Sequence, residues 1–141
     1  MHSKVFLYVT VVCAIFCVSW AKLHIRIQPT AVLELRQHAE LCEKETGIPA
    51  ANLKKIIDFP LPTDRPTKEF FFCVGYNAGY VADNGHFHLD KISSFEAVNG
   101  TKEEYVNIIN ECNSVELEDP IETNYSMGDC LHRNCVFTVA K

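Results

Sequence analysis

At 141 residues the chain is long enough for one well-formed core and too short for two. Its formal charge is −5 and no cluster of Lys or Arg stands out, which argues against a nucleic-acid partner, because phosphate binding draws on such clusters. Seven cysteines in so short a chain read as a disulfide framework if the chain is secreted.

The chain opens with His2 and Lys4, then runs apolar and uncharged from Val5 to Val18. Ser19-Trp20-Ala21 follows, with small residues at the two positions a signal peptidase reads. Residues 1–21 are expected to be a cleaved signal peptide, leaving 22–141 as a single secreted, extracellular domain. The rival reading is a membrane anchor. The apolar run is short for a span, which needs ~20 residues, and no second apolar segment follows, so no stable membrane insertion is expected. Lys4 is the one charge in the leader, so cleavage moves the formal charge from −5 to −6. Cys13 and Cys17 leave with it, and Cys42, Cys73, Cys112, Cys130 and Cys135 remain. Five is odd: one thiol is free, or pairs with another chain, so both a monomer and a dimer are open.

Helical spacing dominates the rest. Val32, Leu35, Ala39 and Cys42 fall three and four apart between Thr30 and Gly47, and Gly47 can end that helix. Pro49 precedes a short segment, Ala50 to Asp58, with Leu53, Ile56 and Ile57 apolar. Phe59 to Pro66 reads as a loop, since closely spaced prolines disfavour helix before each of them. A helix dense in aromatics runs from about Thr67 to Tyr80, and Asp83-Asn84-Gly85 signals a turn. His88 to Ala97 reads as a further helix, with Leu89, Ile92 and Phe95 apolar. Thr101-Lys102-Glu103-Glu104 is a capping box, and its helix carries Tyr105, Ile108, Ile109 and Cys112 as one stripe. Asp119-Pro120-Ile121-Glu122 opens the last helix, with Asp as cap and Pro in the first turn. The fold class is all-α: a compact bundle of five to six short helices around one core.

The cysteine separations carry further information. Cys42 lies 31 residues before Cys73, Cys73 lies 39 before Cys112, and Cys112 lies 18 before Cys130. Two local segments accompany the spacing: Cys73-Val-Gly-Tyr-Asn-Ala-Gly79-Tyr with Asp83-Asn84-Gly85, and Asp119-Pro120-Ile121-Glu122-Thr123-Asn124-Tyr125 running on to Cys130. Together they resemble the insect odorant-binding protein family of the pheromone and general odorant-binding type, over nearly the whole of 22–141. That family's usual pattern has six cysteines. On this alignment Glu69 stands at the second and Ile121 at the fifth, so both partners of one bridge are missing, as in the Minus-C subgroup. The resemblance implies bridges Cys42–Cys73 and Cys112–Cys130, and leaves Cys135 as the odd thiol.

It also implies a function: a soluble carrier holding small hydrophobic ligands, an odorant, a pheromone or another apolar molecule, in an internal cavity, with a chemosensory receptor as a possible partner in olfaction. Phe70 to Tyr76 has more apolar faces than one-sided packing needs, which fits either a wholly buried helix or one lining a cavity. The resemblance points to a lining role for Phe72, Tyr76, Phe95 and Ile109, with Phe137 from the tail. Val136, Phe137, Val139 and Ala140 either fold over the cavity mouth as a lid, as tails do in some family members, or form a frayed terminus. The competing function is a secreted helical signalling or scavenging protein that acts through its surface; an internal cavity separates the two.

Sharper-looking motifs add little. His86-Phe87-His88 with Asp90 offers metal-ligand types, yet a zinc site needs three or four ligands and no further cluster is marked out, so no metal is expected. Solvated histidines after a turn is the plain reading, and a pH-sensitive pair is the middle one. Glu103-Glu104 and Glu116-Glu118 sit in cap or loop contexts. No phosphate loop or activated nucleophile is evident, so neither enzymatic activity nor a cofactor is expected. Of two glycosylation sequons, Asn99-Gly100-Thr101 falls in a loop and Asn124-Tyr125-Ser126 within the last helix, making Asn99 the candidate acceptor.

Overall fold

The computed structural model of the chain describes residues 21–141. The expected signal peptide lies outside the described residues apart from Ala21. Five α-helices and a 3-10 helix carry most of the domain: α1 (Pro29–Thr46), the 3-10 helix (Ala50–Ile57), α2 (Arg65–Asn77), α3 (Leu89–Ile92), α4 (Lys102–Cys112) and α5 (Pro120–Asn134). Three short strands accompany them, β1 (Leu23–Ile27), β2 (Glu96–Ala97) and β3 (Cys135–Val139).

Most helix ends follow local rules. Pro29 sits in the first turn of α1, and Gly47, at φ 76°, closes it by donating its N–H to the Glu43 carbonyl. Asp64 caps α2, accepting from the Thr67 N–H at 3.1 Å and the Thr67 hydroxyl at 2.6 Å. Pro66 therefore lies inside the first turn of α2 and not in the loop. The Thr101–Glu104 capping box of α4 forms in both directions, at 3.1 and 3.0 Å. Asp119 caps α5, accepting from the Ile121 N–H at 2.9 Å.

Two expectations are corrected. The helix read over His88 to Ala97 stops after Ile92. The Ser93 and Ser94 hydroxyls bond the Asp90 and Lys91 carbonyls at 3.4 and 2.6 Å, offering the backbone an alternative to continued helix, and Glu96–Ala97 enters a sheet. The tail is not a frayed end. It is β3, paired in parallel with β1 from Leu23↔Cys135 to Ile27↔Val139, and Ala140 adds an N–H bond to the Ile27 carbonyl at 2.9 Å.

The sheet order is β2-β1-β3, with β1 antiparallel to β2. In β1, Leu23, Ile25 and Ile27 point inward while His24 and Arg26 face out, the period of two of a half-buried strand. Because β1 and β3 bracket the helical domain, the sheet ties its two ends together.

Two disulfides fasten the helices. Cys42–Cys73 joins α1 to α2 and Cys112–Cys130 joins α4 to α5, with Cα separations of 5.9 and 5.6 Å. Two groups of buried side chains fill the interior, one around Ile25, Tyr105, Ile109 and Leu131, the other around Cys42, Leu53, Phe70 and Val74. Cys135 is free but only 1 % exposed, and burial pushes its thiol up to about 11. A Cys135-linked dimer would first require this buried thiol to be uncovered.

Candidate functional site

A cavity of about 130 Å³ is walled by residues of both core groups. Helix α5 supplies Asn124, Gly128, Leu131 and His132, at spacings that keep them on one face. Helix α2 supplies Lys68, Phe71 and Gly75 in the same way. The 3-10 helix adds Ile56 and Ile57, the loop after it Leu61, and the sheet Ile27 and Phe137. Tyr80, Val81, Phe87, Ile92 and Phe95 close the far side. Gly128 helps make the room: a Cβ there would meet nothing nearer than Leu61 Cδ1, at 3.6 Å.

Of the five side chains singled out as lining, the structure brings Phe95 and Phe137 to the cavity wall. Phe72, Tyr76 and Ile109 are not on it. Helix α2 turns Phe71 and Gly75 inward, which rotates Phe72 and Tyr76 to a neighbouring face. There the two rings stack at 5.9 Å, and Tyr76 is 46 % exposed. Ile109 is wholly buried, but beside Tyr105 and Cys112. Residues such as Ile27, Leu61, Asn124 and His132 escaped sequence reading because no periodicity links walls drawn from separate elements.

One wall is held by charge. Arg65 of α2 bonds Glu69 at 3.0 Å within its own helix, and reaches across to Asp119 and to Glu122 at 3.3 Å. Lys68 donates to Glu122 at 3.0 Å, and its ammonium lies 4.1 Å from the centre of the Tyr125 ring. Arg65 beside Asp119, and Lys68 beside Glu122, hold those two carboxyls below their ordinary range. This ionic seam joins α2 to α5 next to Glu69 and Ile121, where the resemblance places the missing bridge.

His132 is 6 % exposed, with Nε2 2.6 Å from the Ile56 carbonyl and its ring edge-on to Phe137 at 5.2 Å. Burial lowers its pKa below 6.5, and Lys22 adds to this, while the bond to Ile56 and the charges of Asp129 and Asp58 oppose it. The unfolded chain therefore binds the proton more tightly. Stability is full above about pH 6.5 and falls as pH drops from there through the lowered folded pKa. Urea titrations from pH 7.5 to 5.5 are expected to show a falling midpoint, and His132→Gln is expected to flatten it; an equal fall in the variant would assign the effect elsewhere.

The other candidates separate by location. His88 and Asp90 are exposed, but His86 is half-buried with Nε2 enclosed and unpaired, so the solvated reading is corrected for His86. Among the described residues no three His, Cys, Asp or Glu side chains gather as a metal site. Asn99 is exposed, with its side chain accepting from the His24 N–H at 2.7 Å and donating to the Lys22 carbonyl at 3.2 Å. Asn124 is 8 % exposed. Among the described residues no helix is long and apolar enough to cross a membrane.

Comparison with known proteins converges on one group. The fold is similar to an odorant-binding protein of Locusta migratoria, at 19 % identity and TM-score 0.59, covering 81 % of this chain and 85 % of that one. It is similar to an odorant-binding protein of Drosophila melanogaster, at 22 % identity and TM-score 0.56, covering 73 % and 90 %. A third is odorant-binding protein 7 of Anopheles gambiae, solved with an azo compound, at 22 % identity and TM-score 0.54, covering 70 % and 80 %. No curated protein matches. The family model described as the PBP/GOBP family matches residues 26–134, which include both disulfides and all of the cavity wall but Phe137, and the chain belongs to that family of odorant-binding proteins.

Proposed function

We propose that this protein is a secreted carrier that holds one small hydrophobic ligand in the cavity between α2, α5 and the sheet, without enzymatic activity. The observation that carries this reading is the cavity itself, lined mainly by aliphatic and aromatic side chains drawn from six or more segments of the chain. Removing apolar ligand surface from water there contributes about 25 cal/mol per Å². The azo compound bound by the Anopheles protein is in keeping with such a role. Secretion through the leader at 1–21 and an exposed Asn99 sequon belong to the same reading.

Gly128→Leu tests it. The new Cβ meets Leu61 Cδ1 at an ordinary contact distance, the rest of the side chain occupies the cavity, and replacing a helical glycine favours the helix by up to ~1 kcal/mol. The variant is expected to lose displaceable binding of N-phenyl-1-naphthylamine while its thermal midpoint holds or rises. Undiminished probe binding by the folded variant would place the ligand elsewhere and favour a protein that acts through its surface.

A further inference from the structure

The polar atoms in the cavity wall are not a random set. His132 Nε2 lies 2.6 Å from the Ile56 carbonyl, and a carbonyl only accepts, so Nε2 carries the hydrogen. In the neutral ring this leaves Nδ1 as an acceptor. Asn124 repeats the arrangement: its Nδ2 donates to the Gly85 carbonyl at 3.2 Å, which turns Oδ1 the other way as an acceptor. Neither Nδ1 of His132 nor Oδ1 of Asn124 bonds another described residue, and neither is among the sealed, unpaired atoms, which are His38 Nδ1 and His86 Nε2. Both side chains line the cavity and are only 6 and 8 % exposed.

The wall's donors are largely engaged. Lys68 gives its hydrogens to Glu122 at 3.0 and 3.3 Å, and the Tyr125 hydroxyl reaches the Leu61 carbonyl at 3.4 Å. The Tyr80 hydroxyl has no partner among the described residues, and serves as donor or acceptor alike. The balance of free groups thus favours acceptors.

We infer that the cavity selects apolar ligands that carry a hydroxyl group, with His132 Nδ1 and Asn124 Oδ1 as its acceptors. The inference rests on the carrier reading and adds the ligand's chemical class. An ether of equal size brings only an acceptor, to which neither His132 Nδ1 nor Asn124 Oδ1 can donate, and leaves both without a partner.

1-Octanol and heptyl methyl ether are isomers that differ in the donor. The full-length sequence is expressed in insect cells, and the folded product is assayed at pH 8 by displacement of N-phenyl-1-naphthylamine. Octanol is expected to bind about three- to tenfold tighter than the ether, the range of one net hydrogen bond. His132→Phe, Asn124→Leu, or both are expected to bring the two ligands level, with folding checked by circular dichroism. Equal affinities in the wild type overturn the inference and leave the carrier reading intact. Failure of probe and both ligands to bind overturns both. A preference that survives both variants but disappears in Tyr80→Phe overturns the assignment of the acceptors.

Discussion

Gly85→Ala is expected to cost about 2 to 6 kcal/mol, from two terms of about 1 to 3 kcal/mol each, left-handed strain and overpacking. Gly85 sits at φ 90°, where an L side chain is strained. It also lies against the start of α5: a Cβ would stand 2.1 Å from the Pro120 carbonyl oxygen and 3.1 Å from the Asn124 N–H nitrogen. The obstacle is backbone in a capped helix, so it cannot swing aside as a side chain would. Relief requires the 83–85 turn to lift away, which also breaks the bond from Asn124 to the Gly85 carbonyl at the cavity wall. Urea denaturation would show the loss, and ligand binding should weaken with it. A midpoint within experimental error of wild type would mean that the turn is looser than this packing implies.

Removing a disulfide is the other large effect. A bridge that acts by restricting the unfolded chain stabilises more when it closes a longer loop. On that basis Cys42–Cys73, with a separation of 31 residues, contributes about 4 kcal/mol. Cys112–Cys130, with a separation of 18, contributes about 3 kcal/mol. These are large fractions of a typical stability of about 5 to 15 kcal/mol. The paired variant Cys42→Ala with Cys73→Ala is expected to lose more than Cys112→Ala with Cys130→Ala, read as denaturation midpoints at matched slope. The reverse order would show that local packing, not loop length, sets the cost. Alanine is the right substitute because Cys42 and Cys112 are buried among apolar side chains, where a serine hydroxyl would lack a partner.

The ionic seam bears on the same question. It links α2 to α5 mostly through surface side chains, Lys68 being the most covered, so solvent screening keeps its contribution small. Its carboxyls, held below their ordinary range, keep their contribution above the unfolded carboxylate pKa and lose it as pH falls through the lowered folded values. That loss begins below about pH 4, whereas the one set by His132 begins below about pH 6.5.

Much of this protein was legible in its residues. The helix starts at Thr101 and Asp119 rest on side chains that bond backbone two or three residues away, so a short window contains both partners. Gly47 ends α1 for an equally local reason. The family could be read from cysteine spacing and two segments, since bridges record long-range contact in sequence separations. The strands were harder. Leu23, Ile25 and Ile27 do alternate with polar residues, but five residues are too few to outweigh the helical pattern around them, and the value of β1 depends on a partner 112 positions away at Cys135.

The cavity wall is what only the tertiary structure decided. Ile27, Leu61, Asn124, His132 and Phe137 share no period and no local motif; they meet because β1 pairs with β3 and α5 packs beside α2. On α2 the sequence shows a run of aromatics, and which of Phe71, Phe72 and Tyr76 faces the cavity depends on a helix rotation that α1, α5 and Cys42–Cys73 set together. Residue order determined the local hydrogen bonds and the class of fold, because their energies act over a few positions. The walls were settled by packing, whose energy depends on distance in space and carries no memory of distance along the chain.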